Sequence, residues 1–229
     1  ATQLAEVYGQ INYQFNDLAD KNWNLLYDAN LVIQTSENEE LLEQYVEQMK
    51  EQWGFNTLLF LDGSHENYDL LAQYPETELF GGRVQSLGGN VYHVCRGSVL
   101  ELEGKTYLCF GGAESQDKDD REPGVNWWKQ EMPSDEEYDT CRRNLEKVDY
   151  KVDYVLTHDA PSRFLDFTAL ALGESNRLHL FLDEILLKLT YEKWFFGCYH
   201  KDVQLSTKSR CVFCDVIPMG ERRTGLFHR

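Results

Sequence analysis

Short apolar runs alternate along the chain with polar stretches, at spacings that predict an α/β arrangement of strands and helices. The run TLLFL at 57–61 is apolar with β-forming residues at most positions, and Gly63 ends it ahead of Ser64, His65 and Glu66. Residues 67–71 then read as the first turns of a helix. A strand that stops at a glycine and hands polar side chains to a helix is how many α/β folds present a site. Upstream, 4–8 and 31–33 read as strands and 15–21 as a helix. Residues 38–52 predict an acidic amphipathic helix, with Leu41, Leu42, Tyr45, Val46 and Met49 at helical spacing.

Downstream, 81–110 alternates apolar and polar residues and predicts a meander of antiparallel strands, with a tight turn at Glu103-Gly104-Lys105. The charged stretch 113–133 carries Trp127 and Trp128 and is long enough to predict a functional loop. Helical spacing returns over 134–148, opened by Ser134 and Glu137 in capping-box positions. A strand at 154–157 ends at His158, a helix covers 175–189, and a strand at 194–196 ends at Gly197-Cys198-Tyr199-His200. Residues 203–205 and 210–215 read as a closing hairpin. The pattern contains no repeat and no linker, so 1–219 reads as a single domain followed by a basic tail, 220–229.

Composition narrows the function. The 229 residues suffice for one sizeable core. The apolar runs all fall short of the roughly 20 residues that a membrane span needs, and the first residues show no basic region leading into an apolar one. The expectation is a cytoplasmic protein with no membrane partner. Six cysteines without even spacing fit reduced thiols, and the C-x-x-C at 211–214 falls in a predicted strand whose i and i+3 residues face opposite sides. A net charge of −17 argues against direct nucleic-acid binding and suits either plain solubility or a basic protein partner.

The wording D-G-S-H-E-N at 62–67 resembles the G-N-H-E motif of the calcineurin-like metallophosphoesterases, with Ser64 where that family has a metal-binding asparagine. The resemblance extends from about 7 to 217 through 96–121, 126–138, 151–162 and 194–202, and is nearest to the small bacterial and phage-type members. It implies an α+β fold, a four-layer αββα sandwich of two mixed sheets. It also implies two divalent metals roughly 3.5–4 Å apart that clamp a phosphate and activate a water.

Carried onto this chain, the family's ligand positions fall on Gln10, Asn12, Ser36, Ser64, His158, Cys198 and His200. Only His158 and His200 keep the family's residue, and both carboxylate positions have become neutral. His65 corresponds to the family's proton donor to the leaving group. Two adjacent dications need carboxylates, so the substitutions predict that the two-metal site is lost. The expectation is no cofactor, or at most a single zinc or manganese ion on His158, Cys198 and His200. Arg121, Trp127, Trp128 and Arg163 are candidate binding residues, the tryptophans alternatively serving as packing. The leading expectation is a catalytically inactive member of this fold that binds a protein or a phosphorylated small molecule. The alternatives are an active phosphoesterase with a rearranged site, possible recruits being Asp62, Asp159 and Asp202, and an acidic mimic of nucleic acid.

Overall fold

The computed structural model describes residues 57–64, 66–88, 90–165 and 175–213, together with Ile217. The strands and helices expected within 1–56, and Gln10, Asn12, Ser36 and His65 among the candidate residues, lie outside the described residues, as do Cys214 and the basic tail.

The described chain forms two mixed sheets and a set of helices, an α+β architecture. Strand β1 (Leu58–Phe60) leads to a short helix α1 (Tyr68–Leu71), capped by Asn67. Strands β2 (Glu76–Leu79), β3 (Gly82–Gly88) and β4 (Val91–Val94) follow. They complete a four-stranded sheet in the order β1-β4-β3-β2, with β1 parallel to β4 and the other pairs antiparallel.

The second sheet begins with the hairpin of β5 (Ser98–Leu102) and β6 (Lys105–Phe110). Its turn is built from Glu103 and Gly104, both at positive φ (51° and 73°), the conformation that a two-residue hairpin turn requires and glycine accepts readily. Helix α2 (Asp135–Lys147) opens on the expected capping box of Ser134 and Glu137. Then come β7 (Tyr154–Thr157), a short helix α3 (Ser162–Leu165), helix α4 (Arg177–Lys188), β8 (Lys193–Phe196), β9 (Val203–Gln204) and β10 (Ser209–Cys211). The order is β5-β6-β7-β8-β10-β9, with β6, β7, β8 and β10 parallel and antiparallel pairs at both edges.

Two expectations need correction. The stretch 81–110 is not one meander. β2, β3 and β4 form an antiparallel run in the first sheet, and the chain turns at Cys95-Arg96-Gly97 so that β5 and β6 enter the second. Residue alternation reports which face is buried, not which sheet a strand joins. The closing hairpin is also shorter than expected, since β10 ends at Cys211.

The two sheets share a core in which Val84 and Val94 of the first meet Leu100, Tyr107, Cys109 and Tyr154 of the second. The opposite face of the second sheet presents Leu108, Phe110, Val155, Trp194 and Phe196 to Tyr138, Cys141 and Leu145 of α2 and to Leu178, Phe181, Leu182 and Ile185 of α4. These helical positions recur every three or four residues, the spacing of one buried stripe. Arg142 lies over the Phe181 ring and also holds Glu184, which ties the two helices across their polar margin. Cys95, Cys109, Cys141, Cys198 and Cys211 are free thiols. Burial pushes those of Cys95, Cys109 and Cys141 up to about 12, so they behave as small apolar core residues. Among the described residues no helix is long and apolar enough to cross a membrane.

Candidate functional site

The loops that follow β1, β6, β7 and β8 meet at one rim of the molecule. Gly63 lies so close to His158 that a Cβ there would stand 2.6 Å from the imidazole, and the ring would have to shift to admit a larger residue. The Gly112 N–H donates to the Asp62 carbonyl at 2.8 Å, which fastens the end of β6 to the end of β1. The Gly197 N–H donates to the His158 carbonyl at 3.0 Å and joins the ends of β7 and β8. Parallel strands explain the convergence, because β6, β7 and β8 all deliver their following residues to the same end of the sheet.

Asp62 is the buried centre of this rim. Its carboxylate accepts from Arg96 Nε and Nη2 at 2.8 and 2.5 Å, from the Tyr68 hydroxyl at 3.1 Å, and meets His93 Nε2 at 2.9 Å. Burial alone would raise its pKa, but the Arg96 guanidinium and His93 outweigh it and hold the group well below the usual carboxylate range. Arg96 donates further to the carbonyls of Gln130 and Glu131 and to the Glu137 carboxylate. One guanidinium thus joins β1, the end of the 113–133 loop and the first turn of α2. Glu131 is itself buried and accepts from both the N–H and the hydroxyl of Ser115, which closes the loop on itself.

Glu66 sits beside this pair with one oxygen at 3.3 Å from the Gly63 N–H and the other without a hydrogen-bond partner among the described residues. Burial, reinforced by the Asp62 charge, pushes its carboxyl up to about 8, so it keeps a proton at neutral pH. A second buried carboxylate, Asp159, follows His158 and accepts from Tyr199 at 2.5 Å and from the Ala160 N–H, with His179 Nε2 at 3.0 Å.

No family model matches this chain, and no curated protein matches its sequence either.

The candidate residues fall as follows. Ser64 and His158 lie together on the rim through Gly63, and Cys198 and His200 follow the neighbouring strand β8. His200 is exposed and its ring stacks on Phe213 at 5.2 Å. Cys198 and His200 both adopt left-handed backbone (φ 63° and 51°), a strain of about 1–3 kcal/mol each that collects at functional turns. Burial and the nearby Asp159 carboxylate raise the Cys198 thiol well above its ordinary value. Among the described residues no three His, Cys, Asp or Glu side chains are grouped so as to hold a metal. Of the seven ligand positions that the resemblance implies, Gln10, Asn12 and Ser36 lie outside the described residues.

Trp128 is buried and donates from its indole to Asp69 at 2.9 Å, pinning the loop to α1. Trp127 is half-buried, and its indole N–H has no partner among the described residues. Arg121 folds back on its own loop, to Asp117 at 2.7 Å and the Asn126 carbonyl at 3.1 Å. Arg163 is exposed on α3. Arg96 and His179 were not foreseen. The available signals were an arginine interrupting the apolar alternation of 91–102, and the N-x-x-H spacing of Asn176 and His179 at the start of a helix.

Proposed function

We propose that this chain uses a phosphoesterase-like four-layer αββα scaffold as a binding platform and does not hydrolyse phosphate esters. The observation that carries the reading is the commitment of both rim carboxylates to internal partners. Asp62 is held by Arg96, His93 and Tyr68, and Asp159 by Tyr199 and His179. A dication beside Asp62 would meet a guanidinium already bonded to that carboxylate. Paired dications are stabilised by carboxylates free to bridge them, and Gln10, Asn12, Ser36 and Ser64 supply no negative charge at the remaining positions.

The ligand of this platform is a protein, with a basic surface as the complement to a net charge of −17. Its contact region is the tip of the 113–133 loop, where Val125 is 62% exposed and the half-buried Trp127 follows two residues later. A phosphorylated small molecule at His158 and His200 is the other occupant this rim would accept. A hydrolase working with one zinc or manganese ion is the second reading. It is favoured by the placement of His158 and His200 after adjacent parallel strands.

Elemental analysis of protein purified without chelator, joined to nitrophenyl-phosphate and phosphodiester assays, separates these readings. The expected result is no stoichiometric metal and no turnover above that of His200→Ala. Two tightly held Mn, Fe or Zn ions per chain, with hydrolysis lost in His200→Ala, would overturn the proposal. One ion with the same loss would establish the second reading.

A further inference from the structure

His179 stands three residues past the N-cap of α4, and its ring is buried between that helix and the end of β7. Ring Nδ1 lies 3.1 Å from the Asn176 N–H, and Nε2 lies 3.0 Å from an Asp159 carboxylate oxygen. A backbone N–H can only donate, so Nδ1 must accept. The ring's single proton is therefore on Nε2 and is donated to Asp159. Asn176 completes the cap by accepting the His179 N–H at 3.0 Å, and its side-chain amide reaches Glu114 at 3.3 Å, near the start of the long loop. The imidazole thus links the first turn of α4 to the strand end that carries His158, and its capping partner Asn176 extends the link to the loop that carries Trp127.

A second proton has to enter at Nδ1, where it would face the Asn176 N–H, donor against donor. The charges facing the ring nevertheless invite it. Asp159 lies beyond β7, Asp183 one turn along α4 and bonded to Ser162 and the Arg163 N–H, and Glu114 in the loop. The cations nearby are engaged elsewhere, Arg177 with Asp135 and Lys118 with Glu114, and Tyr199 approaches Asp159 as a neutral hydroxyl.

We propose that His179 is a proton-operated latch. Uptake of a second proton exchanges the Asn176 N–H···Nδ1 bond of the helix cap for a charged pair with Asp159. This loosens the first turn of α4 and its Asn176–Glu114 link to the long loop. The proposal is independent of whether the loop binds a protein.

Globally and locally the effects have opposite signs. Burial lowers the His179 pKa, but the Asp159 hydrogen bond and the surrounding acids outweigh it and raise the value above the ordinary 6.5. The charged pair therefore contributes stability that is fully present below about 6.5 and lost as pH rises through the folded-state value. The cap behaves in reverse, closed at high pH and open at low pH.

The test is nitrogen NMR of the imidazole and amide exchange of the full-length chain between pH 8 and pH 5.5. Exchange is expressed as protection after correction for intrinsic rates. The expected result is an Nε2–H tautomer at pH 8 that becomes doubly protonated. The amides of His179 and Leu180 should lose about tenfold in protection, the worth of a helix cap, while the melting temperature of the wild type relative to His179→Gln does not fall. His179→Gln should show no such pH step. Unchanged protection across this range, an Nδ1–H tautomer at pH 8, or the same step in His179→Gln would each overturn the latch. The wild-type ring signals decide the matter even if the variant does not fold.

Discussion

Arg96 is the residue on which the rim depends most. It is 4% exposed, and its side chain neutralises Asp62 while satisfying two carbonyls of the 113–133 loop. Removing the guanidinium leaves a buried carboxylate without its cation, the expensive way to break an internal pair. Arg96→Met should cost about 3–5 kcal/mol in urea unfolding. Arg96→Met/Asp62→Asn should recover a large part of that loss, because no buried charge is then uncompensated. If the double variant is as unstable as the single one, the loop carbonyls rather than the charge pair dominate. Glu66 gives a pH signature from the same cluster. Its folded pKa, about 8, exceeds the ordinary 4.5, so folding takes up a proton between those values. The contribution is fully present below about 4.5 and lost as pH rises through about 8, amounting to a few kcal/mol. Glu66→Gln, which stays neutral, should flatten this part of the stability–pH curve; an unchanged slope would place the proton elsewhere.

At the level of elements, what could be read in advance was whatever a local rule controls. The capping box of Ser134 and Glu137 is one case: both reciprocal bonds form, and Glu137 additionally reaches Arg96. Ser134→Ala should cost about 1 kcal/mol in thermal or urea unfolding, with the loss confined to α2 in amide exchange. The Glu103-Gly104 turn and the strands ending at His158 and Cys198 were equally legible, because short apolar runs stop at turn residues. Strand β2 was not, since Glu76–Leu79 is an exposed edge strand with hardly any apolar alternation to report it. Nor was the passage from the first sheet to the second at 95–97, which depends on packing partners far away in sequence. The site shows the same division. His158, Cys198 and His200 could be placed at strand ends from their own neighbourhoods. The pairing of Asp62 with Arg96 spans 34 residues and that of Asp159 with His179 spans 20, and neither leaves a short-range pattern.

For the molecule as a whole, charge and surface determine how a partner is met. A net charge of −17 on 229 residues produces a field that extends well beyond contact distance in dilute buffer. Raising salt from about 0.01 M to about 1 M shortens the screening length from roughly 30 Å to 3 Å. Association with a basic protein should then slow by roughly ten- to a thousand-fold. The dissociation rate should change far less, because steering acts on encounter and packed contacts act on residence. Contacts at the loop tip should behave in the opposite way. Trp127→Ala removes a half-buried indole next to exposed Val125 without touching the Trp128–Asp69 bond that holds the loop to α1. It should speed dissociation and leave the salt slope of association unchanged. The measurement is surface-binding kinetics across a salt series, using the partner recovered from native cells at low salt. The control is Trp128→Phe, which should weaken binding only as far as it loosens the loop. If Trp127→Ala alters neither rate while charge-neutralised Glu39, Glu40 and Glu43 abolish the salt dependence, the contact surface is the acidic 38–52 segment and not the loop.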